Sequence, residues 1–479
     1  MTHRSFSLRI SAMLLLVLSS SCSTVTSDSI ARIENYYPKP AEENMLPVKN
    51  GPAPEESVSP VPEQRALTLE HCVAIALDRN PLRKAAEEGI AVARANTNAV
   101  ASQYYPSLTW SASYRRWESH AFLPSDLGLP GKKPSSIGPV SDWSTGLKAQ
   151  YLIFDSGKRA AELRAAKSAV AAVSEEAEKL QQDIALSVHH AFYQLCAARE
   201  GYATAEQNKK RAEAHTALAA RLWESGAVPK ADVIRAQVDL SESALKLVQF
   251  ETAVKEARVN LNRALGLPLE MEFALQTDMP VLTDPDTIDM NTAVGQALHQ
   301  RPELKAALHL IDQQQHLLSG AESAFGPTVA ASLGYGYRDD SFPVKDKDWS
   351  AGIGIELPIF DGFRRKNNVA KEKHAFARQE ALLRQKVLEI SEEIWVSKLH
   401  WAESFAAIAL SEAIVHDAEE SMRMIRERYE AGAATATDLL DGQSKLVGAQ
   451  FGLVEAHWRF FAAKARFDHA CGNLVAASD

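Results

Sequence analysis

Cysteine is scarce in this sequence, with four residues among 479. Cys72, Cys196 and Cys471 lie far apart within helical patterns and lack the Cys-x-x-Cys spacing of zinc and redox sites. We therefore interpret these three residues as small, packed hydrophobic side chains. The fourth, Cys22, follows an N-terminal leader and is considered with it below.

The sequence also lacks long apolar runs and a basic balance. No segment after the leader contains 18 consecutive apolar residues, so no transmembrane helix is predicted. The net charge of −9 provides no basic footprint, and we predict no nucleic-acid partner. Together with 46% hydrophobic residues, the abundance of Ala, Glu, Leu, Arg and Lys favours long helices.

Motifs for catalysis are absent as well. His189-His190 is not followed by the residues of a His-Glu-x-x-His metal site. The segment 352–356 lacks the third glycine and the helix of a dinucleotide-binding loop. No Ser lies in a nucleophile elbow. We predict no enzyme activity, no cofactor and no metal.

The first 21 residues are typical of a secretion signal, with basic residues ahead of the short apolar core Ile10–Leu18. Ser19-Ser20-Ser21 before Cys22 resembles a bacterial lipoprotein cleavage site, although Ser19 stands where that pattern usually has an aliphatic residue. The alternative is an ordinary signal peptide followed by an incidental cysteine. Residues 22–66, with seven prolines between Pro38 and Pro62, indicate an extended tether.

The chain contains a duplication. Leu77–Pro81 matches Leu298–Pro302 at an offset of 221, and Leu152–Asp155 matches Pro358–Asp361 at an offset of 206. Further landmarks keep the second offset: Gly226 with Gly432, Asp232 with Asp438, and Gly266 with Gly472. A period of about 210 residues is too long for a solenoid repeat, so we interpret it as a duplicated structural unit.

Both copies have the same internal order. We predict a first repeat at 67–268, a linker at 269–289, a second repeat at 290–474 and a tail at 475–479. Each repeat is predicted to contain a helix, a β-hairpin, a very long helix and a further helix. The predicted helices are Leu69–Gln103, Lys158–Glu224 and Lys230–Leu265 in the first copy, and Met290–Phe325, Phe363–Ala431 and Thr437–Cys471 in the second.

Helix length indicates the architecture. At 1.5 Å per residue the long helices reach roughly 100 Å and the others roughly 50 Å. Two short helices stacked end to end would therefore lie alongside one long helix. Helices of this length need lateral partners along their whole length, as in coiled coils.

The four predicted strands alternate strictly between apolar and polar side chains. One face of the first strand has Leu108, Trp110, Ala112 and Tyr114, and its other face has serine and threonine. The strands from 143, 328 and 349 repeat this pattern, and none of the apolar positions is charged. Such alternation over about ten residues is typical of a transmembrane β-barrel strand, although a half-buried hairpin of a soluble protein would look the same.

A membrane barrel has no open edges, and the smallest contain about eight strands. One chain offers four, so it must assemble with further copies. Three copies would supply twelve strands and a wide lumen. The predicted fold class is therefore mainly α with β: long helices packed side by side as in coiled coils, joined to a four-strand contribution to an oligomeric transmembrane β-barrel.

This arrangement resembles the TolC family of outer-membrane efflux and secretion channels. The resemblance covers about Leu67–Leu474 and is carried by motifs that are weak singly but occur in order and in duplicate. These are the opening Leu67-Thr68-Leu69-Glu70 with Asn80-Pro81, the pairs Phe154-Asp155 and Phe360-Asp361, the turns at Gly226 and Gly432, and the endings Ala264-Leu265-Gly266 and Ala470-Cys471-Gly472.

The resemblance implies a homotrimer whose β-barrel lies in outer-membrane lipid and continues into a long, coiled α-helical barrel in the periplasm. It also implies a periplasmic adaptor that contacts the turns at Gly226 and Gly432, and an inner-membrane pump of the RND or ABC type. In this family, Tyr, Arg and Asp side chains at the matching turn link neighbouring helices in the closed state. Tyr429 matches the Tyr and Asp232, Asp438 and Asp441 match acidic positions, but Ala434 stands where the Arg would be.

The residues also indicate a role for two of these aspartates. Asp438 and Asp441 share one helix face because they are three residues apart. In a closed ring they would form two layers of carboxylates that favour cations. The alternative is that Asp232 and Asp438 only complement the dipole at a helix start.

The predicted function is a passive outer-membrane conduit for drugs or other small molecules. Two alternatives stay open. One is the outer-membrane duct of a protein-secretion system, and the other is a lipid-anchored, coiled-coil scaffold without a pore.

Overall fold

The computed structural model describes residues 66–120, 136–276 and 281–474. The predicted signal segment, Cys22, nearly all of the tether and the tail 475–479 lie outside these ranges. Each repeat begins with two short helices, continues through a β-hairpin and ends with a 67-residue helix and a helix of 36 or 35 residues.

The bounds of the elements follow the duplication. In the first repeat they are α1 (Leu69–Arg79), α2 (Pro81–Ala101), β1 (Ser107–His120), β2 (Ser136–Phe154), α3 (Lys158–Glu224) and α4 (Lys230–Leu265). In the second they are α5 (Met290–Gln300), α6 (Pro302–Ser323), β3 (Thr328–Asp339), β4 (Lys347–Glu356), α7 (Arg364–Glu430) and α8 (Ala436–Ala470).

The first helix of each repeat was predicted as continuous, and that prediction is wrong. It breaks at Asn80-Pro81 in the first repeat and at Arg301-Pro302 in the second. A residue before proline is excluded from the helical region by steric clash, and both Asn80 and Arg301 are extended, with ψ values of 124° and 119°. Each proline then begins the next helix, where its missing N–H is harmless.

The predicted end-to-end stacking of short helices along a long one is confirmed. Thr97 of α2 donates a hydrogen bond to the Ala166 carbonyl near the start of α3. Thr216, near the end of the same helix, donates to Ala236 of α4. The short helices α2 and α4 meet where the chain breaks before Pro81. At this point Asn80 Nδ2 donates a hydrogen bond to the Ala264 carbonyl at the end of α4, at 3.0 Å.

The second repeat has the same junction with a different side chain. Arg301 donates from one guanidinium nitrogen to the carbonyls of His469 and Ala470 at the end of α8, at 3.2 and 3.0 Å. These carbonyls belong to the last turn of a helix, where no intrahelical donor is available. A polar residue before each proline therefore joins the α1–α2 and α5–α6 breaks to the helix that ends beside them.

The strands form one antiparallel sheet in the order β1-β2-β3-β4. The pairing register places Trp110, Leu147, Tyr335 and Trp349 in one row across all four strands. The next polar row contains Thr109, Lys148, Gly334 and Ser350. The predicted alternation thus produces a single apolar face and a single polar face, because opposed residues in a ladder point to the same side.

The apolar face of the sheet is exposed in one chain. Trp110 is 67% exposed, Trp349 70% and Ile353 72%.

The first hairpin is longer than predicted, since β2 begins at Ser136 rather than near Trp143. Its ladder with β1 continues past a register shift between Trp117 and Ser119.

The strand-to-helix junctions repeat as well. Asp155 and Arg159 form a buried ion pair at 3.0 Å, and the Asp155 carboxylate also accepts from the Arg159 amide. The equivalent pair, Asp361 and Arg365, is 2.9 Å apart. Each carboxylate therefore caps the start of a long helix and fixes the guanidinium beside it.

The main core lies where the short helices meet the middle of the long ones. It includes the fully buried side chains of Leu195, Leu265, Trp401 and Phe460.

The three cysteines are buried and free, as predicted, and burial raises the pKa of the Cys72 thiol to about 12. In the described ranges no helix is both long and apolar enough to cross a membrane.

An ion cluster built on the buried side chains of His469 and Arg301 joins four helices at this core. His469 Nε2 on α8 lies 2.9 Å from a carboxylate oxygen of Asp183 on α3. Its Nδ1 lies 3.8 Å from Glu393 on α7. Arg301, immediately before α6, lies 2.8 Å from Glu393 and also pairs with Glu303.

Burial alone would lower the pKa of His469, but the carboxylates of Asp183 and Glu393 outweigh it and hold that pKa above its usual value. His469 in turn makes the largest contribution to the lowered pKa of Glu393. For Asp183, burial opposes ionisation, yet hydrogen bonds from His469 and Lys179 leave its pKa lowered. Folding therefore favours a protonated imidazole between two carboxylates.

The substitution His469→Gln should lower stability in a pH-dependent way. A raised histidine pKa contributes stability that is present below about pH 6.5 and is lost as the pH rises through the folded-state value. We expect a loss of about 1–2 kcal/mol near pH 6, shrinking toward pH 9. Thermal unfolding followed by circular dichroism measures it.

His400→Gln is the matched control, because His400 is exposed on α7 and lies outside the cluster. If the two variants gave the same difference from the parent chain at every pH, the proposed role of the cluster would be wrong.

Candidate functional site

Two tight turns connect the long helices to the helices that follow them. Gly226 and Gly432 both have left-handed backbone, with φ values of 80° and 72°. After α3, the Ala227 amide donates to the Leu222 carbonyl and the Gly226 amide to Trp223. This pair of hydrogen bonds satisfies the last carbonyls of a helix and requires a residue that tolerates positive φ, as glycine does.

The turn after α7 has the same pattern. The Ala433 amide donates to the Arg428 carbonyl at 2.7 Å, and the Gly432 amide to Tyr429 at 3.0 Å. Gly226 and Gly432 therefore end the two long helices in the same way. Contact of these turns with an adaptor stays a prediction.

Tyr429 and Asp232 are brought together from different repeats. Tyr429 is 7% exposed and packs in a small tip cluster with Met422, Ala436, Leu439 and Leu446. Burial, and then the charge of Asp232, raises the pKa of Tyr429. The turns of the two repeats therefore lie side by side at one end of the chain.

Asp232 is largely buried and has an ion-pair partner in its own helix. Its side chain is 12% exposed and pairs with Arg235 at 3.2 Å, three residues along α4. Pro229 precedes this helix and gives it no side-chain cap. A carboxylate in the first turn of α4 therefore compensates the helix dipole and is already paired within its helix.

Asp438 is part of a reciprocal cap. Its carboxylate accepts from the Thr435 amide at 2.9 Å, while the Thr435 hydroxyl oxygen accepts from the Asp438 amide at 3.2 Å. Hydrogen bonds from Thr435 hold the pKa of Asp438 below its usual value, and Arg428 adds to this. The Thr-x-x-Asp spacing is a capping-box signal in the sequence, and Thr435 is a residue that our sequence prediction did not include.

Asp441 lies three residues further along α8, as predicted, but has a different environment. It is exposed and pairs with Lys445 at 2.8 Å, a contact between two solvated side chains. Such exposed pairs contribute little energy and exchange readily. Asp441 is thus the more available of the two carboxylates, and a ring of such carboxylates stays a prediction because it requires further chains.

Ala434, at the position of the family's arginine, packs against the tip cluster. Arg428 is the nearby cation at this turn, and it donates a hydrogen bond to the Ala433 carbonyl at 3.3 Å. The helix dipole favours a basic residue in the last turn of a helix. The position of Arg428 near the end of α7 was therefore the sequence signal that could have identified it as a residue of this turn. In one chain the turn is therefore held by its own glycine, capping box and arginine.

The comparisons with known proteins agree with this architecture. The chain matches the family model described as outer membrane efflux protein over residues 73–267 and 293–473. The two matched segments fall within the two repeats.

Individual proteins are also similar. Protein CyaE of Bordetella pertussis is 26% identical over 399 residues, which cover 80% of this chain and 79% of that protein. The pyoverdine export outer membrane protein OpmQ of Pseudomonas aeruginosa is 24% identical over 345 residues, 69% of this chain and 70% of its own. The Campylobacter jejuni CmeC outer membrane channel has the same fold, with a TM-score of 0.72 at 19% identity over 86% of this chain and 87% of its own.

Removing the reciprocal cap should loosen the start of α8. Asp438→Ala is expected to destabilise this turn by about 1 kcal/mol, because an N-terminal cap contributes roughly that amount. Amide hydrogen exchange at residues 435–439 should then be about fivefold faster. Asp441→Ala is the control, and equal exchange in the two variants would contradict the assignment of Asp438 to the cap.

Proposed function

The chain belongs to the outer membrane efflux protein family, and we propose that three copies form the exit channel of a tripartite efflux machine. The observation that carries this proposal is the open, one-sided sheet. Within the described chain, neither β1 nor β4 has a second strand neighbour. Lipid does not tolerate unpaired backbone groups, so a sheet in the outer membrane must close through other copies.

The two faces of the sheet suit a barrel around a water-filled lumen. Leu108 and Leu333 on the apolar face are 68% and 54% exposed, and they suit contact with lipid. The opposite face has Lys148, and Ser113 hydrogen-bonds to Ser144 across β1 and β2. Three chains would supply twelve strands, with the polar face turned inward.

The helices extend the conduit away from the membrane. Each repeat offers one helix of about 100 Å. Shorter helices pack along this helix, and the proline break lies between them. Apolar residues on α4 and α7, such as Val248, Leu399 and Leu410, are 57%, 64% and 66% exposed. In a trimer these residues would pack against neighbouring copies and form the wall of a periplasmic tunnel.

The far end of this tunnel would be the periplasmic entrance. The turns at Gly226 and Gly432 are exposed there, where a periplasmic adaptor linked to an inner-membrane pump of the RND or ABC type would contact them. Asp441 would face the entrance and favour cations. Ala434 leaves no arginine-centred lock, so closure would rest on the tip cluster around Tyr429 and on contacts between copies.

The cargo class we propose is small molecules. A named relative, OpmQ, exports pyoverdine, which supports small-molecule cargo over secreted proteins. Cys22 would anchor the chain by acylation in the inner leaflet of the outer membrane, and the proline-rich segment up to residue 66 would connect that anchor to the body.

Conduction tests the proposed function directly. Full-length protein purified in detergent and inserted in planar bilayers should give discrete single-channel currents, because a closed barrel of this kind encloses a water-filled lumen. A trimer should appear in electron microscopy of the same sample. A threefold particle that never conducts would support the scaffold alternative and overturn the channel.

The carboxylate at the entrance gives a second readout in the same bilayers. Asp441→Asn should lower the cation-to-anion permeability ratio by up to about fivefold, because one solvated charge at close range contributes up to about 1 kcal/mol. Block by a trivalent cation should weaken as well. Glu455→Gln is the control on the same helix, and an unchanged ratio in the Asp441 variant would exclude the carboxylate from the ion pathway.

Acylation of Cys22 has its own measurement. Mass spectrometry of the mature protein should find an N-terminal peptide that begins at Cys22 with attached lipid, and Cys22→Ser should abolish it. An unmodified peptide that contains Cys22 would contradict the anchor without affecting the channel.

A further inference from the structure

We propose that a basic cleft between α3 and α7, beside the tip cluster, is a binding site for a small oxyanion with an apolar body. The class we have in mind is a phosphate or carboxylate attached to a hydrophobic group. The cleft has a volume of about 430 Å³ and shares Tyr429 with the tip cluster. That volume falls in the range of small-molecule sites in proteins.

Positive charge dominates the walls of this cleft. Lys210, Arg211 and Arg221 line it from α3, and Arg426 lines it from α7. Glu430 is the one carboxylate among the lining residues. Lys210 pairs with Glu206 at 3.1 Å, so three arginines are left facing Glu430, and the cleft attracts negatively charged ligands.

The arginines in the cleft are not neutralised by carboxylate contacts. Arg211 donates to the neutral amide oxygens of Gln450, at 2.8 Å, and of Asn208. The guanidinium groups of Arg221 and Arg426 have no hydrogen bond or ion pair within the described part of the chain. An arginine guanidinium presents a planar fork of donors that fits phosphate and carboxylate oxygens.

His215 is the second, independent sign of a ligand. It lines the cleft and is 8% exposed, yet neither ring nitrogen has a hydrogen-bond partner among the described residues. Buried polar groups in proteins are normally hydrogen-bonded, so one without a partner requires an explanation. Burial lowers the pKa of His215, and the charges of Arg426 and Arg211 lower it further.

The rest of the cleft is apolar. Ala214, Leu218 and Leu439 complete its lining together with the Tyr429 ring. A bare inorganic ion would leave this surface uncovered, whereas an anion with a small hydrophobic body would cover it. The mixture of arginine forks, an unpaired imidazole and an apolar floor defines the ligand class.

Occupancy would connect the two repeats near the proposed entrance. The cations come from both long helices, and one anion between them would replace their mutual repulsion by shared contacts. This binding does not depend on conduction, so it can be measured whether or not the proposed function holds.

The test is isothermal titration calorimetry on full-length protein in detergent, with phenyl phosphate, inorganic phosphate, benzoate and benzyl alcohol as probes. We expect saturable binding of phenyl phosphate or benzoate, weaker binding of inorganic phosphate, and none of neutral benzyl alcohol. Binding of one aromatic anion and not the other would identify the acidic group. Failure of both aromatic anions to bind would overturn the site.

Variants locate the binding. Arg426→Gln on α7 and Arg221→Gln on α3 should each weaken the preferred aromatic anion by about tenfold or more, as expected for a lost charge-assisted hydrogen bond. Arg423→Gln is the matched control, since Arg423 lies one turn away on α7 and pairs with Glu420 and Glu427. If Arg423→Gln weakened binding as much as the two cleft variants, the effect would come from net charge and the site would be wrong.

Discussion

The outer edges of β1 and β4 impose a constraint on the whole chain. Each edge presents a row of backbone donors and acceptors, and the apolar face beside them is exposed. In water such an edge would be an aggregation site. In lipid, the backbone N–H and C=O groups of every second residue along it would lack hydrogen-bond partners. In the channel that we propose, the sheet closes into a ring with other copies, and the helices beneath it would follow the same ring.

The helices satisfy this requirement through duplication. Each repeat delivers one hairpin to the sheet and one long helix below it, so successive pairs can continue around a circle. The Asp155–Arg159 and Asp361–Arg365 ion pairs lie at the junction of strand and long helix in both repeats. The breaks at Asn80 and Arg301 then let short helices end against the carbonyls of α4 and α8.

The turns that follow the two long helices differ between the repeats. Both turns use a left-handed glycine, but only α8 begins with a Thr435–Asp438 cap, because Pro229 occupies the equivalent position before α4. The cap engages Asp438 and leaves Asp441 to solvent. Divergence at this end changes chemistry while the shared hydrogen-bond geometry keeps the turns alike.

The sequence by itself determined the elements whose causes are local. Periodicity predicted α3 at Lys158–Glu224, alternation predicted the apolar face at Trp110 and Trp349, and Gly226 and Gly432 marked the turns. Only the tertiary structure decided which distant side chains meet. His469 contacts Asp183 across 286 positions, and the cleft draws its cations from both repeats. Hydrogen bonds within helices and turns join residues a few positions apart, whereas such clusters depend on how long helices pack, and no local pattern encodes that.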